Sequence, residues 1–184
     1  MIHDFFAWLA GTPWSVALLE SLYVWPFIES THVLTLALFA GTAAVNDLRL
    51  VGAGFTGVPA SEVTFRLLRI TRIAFGVMVI TGLLLFYSNP VRYWHNIFFR
   101  IKLILLVVAG LNIWLFHGRI HRRVAEWQHA ERPPRAARLA GAISLLTWAG
   151  IIVTGRLIAY NWFDCDLPQP PLVTWAAGCR ALSP

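Results

Sequence analysis

Charge is what this chain has least of. Of its 184 residues only 13% are Asp, Glu, Lys or Arg, and the acidic ones number nine. With 58% of the residues hydrophobic, a soluble domain of this size has too little polar surface to cover itself. A soluble globular fold is therefore excluded, and most of the chain must face lipid or other helices. Cysteine is confined to Cys165 and Cys179. There is no internal repeat, no low-complexity run, no phosphate-binding glycine loop, no dinucleotide fingerprint, no serine nucleophile elbow and no metalloprotease helix. Met1 to Gly11 has no basic stretch and carries Asp4, so no removable signal peptide is expected and the chain inserts through its own helices.

What the sequence does contain is long apolar runs and tryptophan, nine of them, many flanking those runs as an interfacial belt would. Four segments are long enough to cross about 30 Å of hydrocarbon at about 1.5 Å per residue. They lie near Pro26–Asn46, Arg69–Tyr87, Phe98–His117 and Leu139–Trp162. The fold class that follows is all-α: an integral membrane four-helix bundle over residues 1–163. Pro13–Tyr23, apolar but holding Glu20, reads as a short N-terminal interfacial helix. An amphipathic stretch from Glu62 to Arg72 feeds the second span, and "ERPPR" breaks the long connection before the fourth.

The net charge of +6 raises nucleic acid as a partner, but the arginines cluster at span ends, as topology signals do, which points to the lipid bilayer instead. Arg49, Arg66, Arg69 and Arg72 lie between spans one and two, and Arg119, Arg122, Arg123, Arg132, Arg135 and Arg138 between spans three and four. The opposite side has Arg92, Arg100, Lys102 and Arg180. The basic loops are then cytoplasmic and both termini extracytoplasmic. Cys165 and Cys179 both fall in the Pro-rich tail, 164–184, where a disulfide suits an oxidising compartment.

Ionisable residues inside a span are costly, so each is a candidate with a partner to be found. Counted from the outer ends of the spans, Glu29 lies roughly 5 Å deep and His32 roughly 9 Å, on one helix face at i, i+3. Arg100 and Lys102 enter span three, Arg156 sits roughly 9 Å deep in span four, and Tyr160 is near its end. These residues are expected to share a layer in the outer half of the bundle, with Arg156 opposite Glu29. A histidine among cations suits haem b, imidazole taking the iron and Lys102 and Arg156 pairing with propionates. His32 is the best-placed ligand, and a second imidazole requires His95 to dip inward. A separate set, His117 and His121 at i, i+4 with Asp47, has spacing that can hold copper or zinc at the inner end.

"ESTHVLTLALFAGTAAVNDLRLVG", "FFRIKLILLVVAGLN" and "GRLIAY" together resemble a bacterial family of four-helix membrane proteins of unassigned function. That family is distantly similar to CopD copper-resistance membrane domains and to four-helix b-type cytochromes. The resemblance runs roughly from Trp14 to Trp162. It implies a four-helix bundle in a bacterial inner membrane, and it singles out Glu29, His32, Asp47, Arg49, Lys102 and Arg156 as a set. The leading expectation is a haem b electron-transfer protein or subunit working between the quinone pool and an extracytoplasmic redox protein. The alternatives are CopD-like copper transport or handling, with Glu29 and His32 as an outer gate, and a cofactor-free accessory subunit of a membrane complex.

Overall fold

The computed structural model describes residues 2–116, 118, 124–127, 130, 132–160, 162, 165 and 167–179. In chain order the helices among them are α1 (Ile2–Ala10), α2 (Pro13–Leu19), α3 (Val24–Val51), α4 (Ala60–Ser88), α5 (Pro90–Trp94), α6 (Ile97–Leu115), α7 (Val124–Trp127), α8 (Arg135–Leu157) and α9 (Pro171–Ala177). The described residues hold no strand, as the all-α reading requires. Helices α3, α4, α6 and α8 are long and apolar enough to cross a bilayer, the pattern of a multi-pass membrane protein.

Hydropathy marks the part of a helix inside hydrocarbon, whereas backbone hydrogen bonding carries a helix on until something breaks it. α3 therefore runs to Val51, where Gly52 at φ +81° turns left-handed and returns its N–H to the Leu48 and Arg49 carbonyls. α4 starts directly after Pro59 and absorbs the amphipathic stretch from Glu62 to Arg72. α8 follows Pro134 and ends at Leu157, ahead of a turn at residues 158–160. α1, α5 and α9 are short elements beyond the spans that hydropathy does not single out.

Burial is inverted relative to a soluble bundle. Leu34, Ile104, Trp114 and Leu146 are 64–75% exposed, an arrangement only lipid makes favourable. The interior is built of small and hydroxyl-bearing residues: Ala74, Thr81, Ser88, Ala137, Ala140, Thr147 and Thr154. Small residues let helix backbones approach where lipid offers no hydrophobic drive. The closest approach is at Gly141, where a Cβ would lie 2.9 Å from the Asp47 carbonyl and 3.0 Å from Leu50 Cβ. Phe39, Ala74 and Met78, with Trp148 edge-on to Phe39 at 4.6 Å, form the apolar centre.

α3 packs along α4 and α8, and α6 packs along α8. α4 and α6 meet at one end, where Phe86 stacks on Phe99 with ring centroids 5.4 Å apart, and make little contact elsewhere. The bundle is thus splayed between α4 and α6 at its other end.

The closed end carries both tails. Ser15 donates to the Tyr87 and Ser88 carbonyls, and Thr12 bonds the Tyr87 hydroxyl, tying α2 to the end of α4. Cys165 and Cys179 form the expected disulfide. Arg100 ties α9 to α5, donating from Nη1 to the Ala176 carbonyl and from Nε to the Trp94 carbonyl. Its guanidinium fills the space over Gly178, φ +65°, where a Cβ would lie only 2.7 Å from it. We call this the disulfide end, and the opposite one the arginine end.

Candidate functional site

His32 projects from α3 into α4. Its Nδ1 lies 3.0 Å from the Met78 carbonyl and 3.0 Å from Thr81 Oγ1. The Thr81 hydroxyl already donates to the Val77 carbonyl, so both neighbours of Nδ1 act as acceptors and Nδ1 carries the proton. Nε2 is left with its lone pair. The ring rests on Gly82, where a Cβ would approach Cε1 to 3.0 Å. Lys102, the only lysine in the chain, is near enough to act on His32 electrostatically. Its ammonium lies over Gly155 of α8, 3.6 Å from where a Cβ would be. Three helices beside α3 thus converge on one level: α4 through Thr81 and Gly82, α6 through Lys102, α8 through Gly155.

The other residues expected in this layer are placed differently. Glu29 is exposed and lies within electrostatic range of Tyr93. Arg156 is exposed, its guanidinium 5.5 Å from the Tyr160 ring centroid. No ion pair joins Glu29 to Arg156; Arg156 lies against Tyr160 and Glu29 acts only at a distance on Tyr93. Tyr160 also stacks on Trp162, 5.2 Å away. His95 belongs to the tail: its Nδ1 is 3.3 Å from the Ala177 carbonyl, and its ring is 5.5 Å from that of His3. It does not dip toward His32, because the turn between α5 and α6 is capped by the buried Asn96, which accepts from the Phe98 and Phe99 N–H groups. Arg100 is likewise spent on the tail.

At the arginine end, Asp47 is buried, with Ser144 of α8 in hydrogen-bonding reach. Arg49 is 1% exposed and donates from Nε to the Val58 carbonyl at 2.7 Å and from Nη2 to the Ala130 carbonyl at 3.2 Å. It ties two connections together. His117 and His121, the expected partners of Asp47 in a metal site, lie outside the described residues. No cluster of three His, Cys, Asp or Glu side chains with metal-holding geometry occurs among the described residues.

Residues 17–161 match a family of unknown function, DUF6644. The chain belongs to this family. The match spans all four long helices and both ends of the bundle just described. No curated protein and no solved structure matches the chain. The likeness to CopD domains and b-type cytochromes therefore rests on the sequence segments alone.

Thr81 was not singled out from sequence, and Gly82 and Gly155 stood out only as small in-span residues that allow close helix approach and room for a flat ligand. Attention to ionisable groups passes over them. The available signal was helical register: Thr81 and Gly82 are uncharged and small, placed on the face of α4 that a histidine from α3 needs.

Proposed function

We propose that the protein is a haem b-binding membrane protein that transfers electrons, with His32 as the axial ligand near the extracytoplasmic side. The observation that carries this reading is the His32 imidazole held by its Nδ1–H against the Met78 carbonyl. A ligating histidine is oriented in this way, its second nitrogen directed by the hydrogen bond of the first. Gly82 lets the ring lie flush with α4, and Lys102 supplies a cation for a propionate. Haem, when bound, supplies a one-electron change at its iron. The chain's own part is to fix the imidazole tautomer, exclude water with apolar helices and hold one ammonium nearby.

The orientation rests on charge. The arginine end is assigned to the cytoplasm by the positive-inside rule, and the disulfide end to an oxidising compartment outside a bacterial inner membrane. In this setting the partners are the quinone pool and an extracytoplasmic redox protein or complex subunit.

The test is spectroscopic. Protein purified from haem-replete cells should show a Soret band that His32→Ala abolishes and His95→Ala leaves in place. A band unchanged by His32→Ala contradicts the assignment. Metal analysis of the same samples separates this reading from copper handling, which predicts copper in the wild type and none of the His32-dependent pigment.

A further inference from the structure

The splay between α4 and α6 leaves a cavity of about 650 Å³ at the arginine end, reaching all four long helices. Its walls are mostly apolar, with Phe39, Leu67, Phe75 and Leu106 among them. That volume falls within the range of small-molecule sites, and α4 and α6 have little contact along it, so the gap between two apolar helices points to lipid as the way in.

The polar atoms of this wall are mostly spoken for. Thr64 donates to Asn46 Oδ1 at 2.7 Å, Thr71 bonds Thr42 at 2.9 Å, and Asn112 donates to the Ala140 carbonyl at 2.9 Å. Asp47 is the exception at one oxygen, although Ser144 lies in hydrogen-bonding reach of its carboxyl. It lines the cavity, is 6% exposed, and its Oδ2 has no hydrogen-bond partner among the described residues. A buried carboxyl oxygen without a partner is costly, and in a native fold it calls for an explanation. Here the explanation on offer is a ligand.

We propose that this cavity binds a membrane-soluble molecule with an apolar body and a hydroxyl head, the hydroxyl hydrogen bonding to the Asp47 carboxyl. The apolar walls and the opening toward lipid set the body. The head follows from charge: Arg72 lines the same cavity, which disfavours a cationic head, and Asp47 disfavours an anionic one. A neutral hydroxyl both donates and accepts, so it pairs with the carboxyl whether or not that carries a proton. A long-chain or isoprenoid alcohol and a quinol share this chemistry. The site lies at the opposite end from His32 and does not depend on haem.

The experiment uses the full chain in nanodiscs and two photoactivatable probes: a diazirine-bearing hexadecanol, and the same diazirine chain ending in methyl. The alcohol should label residues of α4 and α6 that line the cavity, and the methyl-ended chain should label them weakly. Asp47→Ala should reduce labelling by the alcohol about tenfold, as loss of a hydrogen bond to a carboxyl group does. Gly110→Leu is the second variant. Gly110 lines the cavity and a Cβ there meets nothing within 4 Å, so a side chain starts into open space at this position. It should remove cavity labelling by both probes while the unfolding midpoint is kept. Competition by unlabelled quinol or by unlabelled isoprenoid alcohol then names the source. Equal labelling by the two probes, or alcohol labelling unchanged in either Asp47→Ala or Gly110→Leu, overturns the proposal.

Discussion

Arg49 shows how one buried cation serves structure. At 1% exposure its guanidinium reaches the carbonyls of Val58 and Ala130, residues in two different connections. Arginine can do this because its donors are spread over a planar fork, whereas a lysine ammonium is a single point. Replacing it by Leu leaves both carbonyls without that donor, at about 1–3 kcal/mol for a buried polar group left unsatisfied. Arg49→Leu should lower stability by about that amount in a reversible detergent-unfolding titration, and Arg49→Lys should restore only part of it. Full recovery by lysine contradicts the two-carbonyl account. Arg49 was visible in the sequence as a span-end charge, but its partners were not. Both are main-chain carbonyls, and a backbone acceptor carries no signature in side-chain pattern.

Among the elements, α9 meets a titratable group at its end. Its Ala177 carbonyl faces His95, which burial holds below the ordinary histidine value, with His3 and Arg100 lowering it further against hydrogen bonds to Ala177 and Gly178 that raise it. The folded chain thus keeps the ring neutral, while in the unfolded chain it takes up a proton near pH ~6.5. The stability contributed around His95 is then fully present above that pH and is lost as pH falls below it, through the lowered folded value. Amide hydrogen exchange of α9, corrected for the intrinsic pH effect, should be faster at pH 5 than at pH 8, and His95→Asn should remove the difference. An exchange rate independent of pH in the wild type counts against it. The disulfide between Cys165 and Cys179, 14 residues apart, keeps the loop closed in either case. Chain composition revealed the pair of cysteines in the tail, but not α9 itself. Seven residues of helix have no long period to read, and this one is held by Arg100 and the disulfide.

For the whole molecule, four apolar runs bounded by arginines were enough to establish an all-α bundle, because bilayer thickness dictates span length and lipid forces every backbone bond inside the helix. Sequence could not reveal that α4 and α6 part company at the arginine end. Each helix is apolar nearly all round, so hydropathy does not say which face meets a neighbour and which meets lipid. The layer near the disulfide end was partly legible. His32 and Lys102 lie within electrostatic range of each other, at the shared level depth suggests, whereas Glu29 and Arg156 are exposed because depth fixes height along a helix and not direction around it. The outer layer and the inner cavity occupy opposite ends of one scaffold, and the functional proposal stands on the first. The measurement that tests it most directly is the haem content of the purified wild-type chain, by absorption and pyridine haemochrome. One haem b per chain is the predicted result; intact, folded protein from haem-replete cells that carries no haem contradicts it.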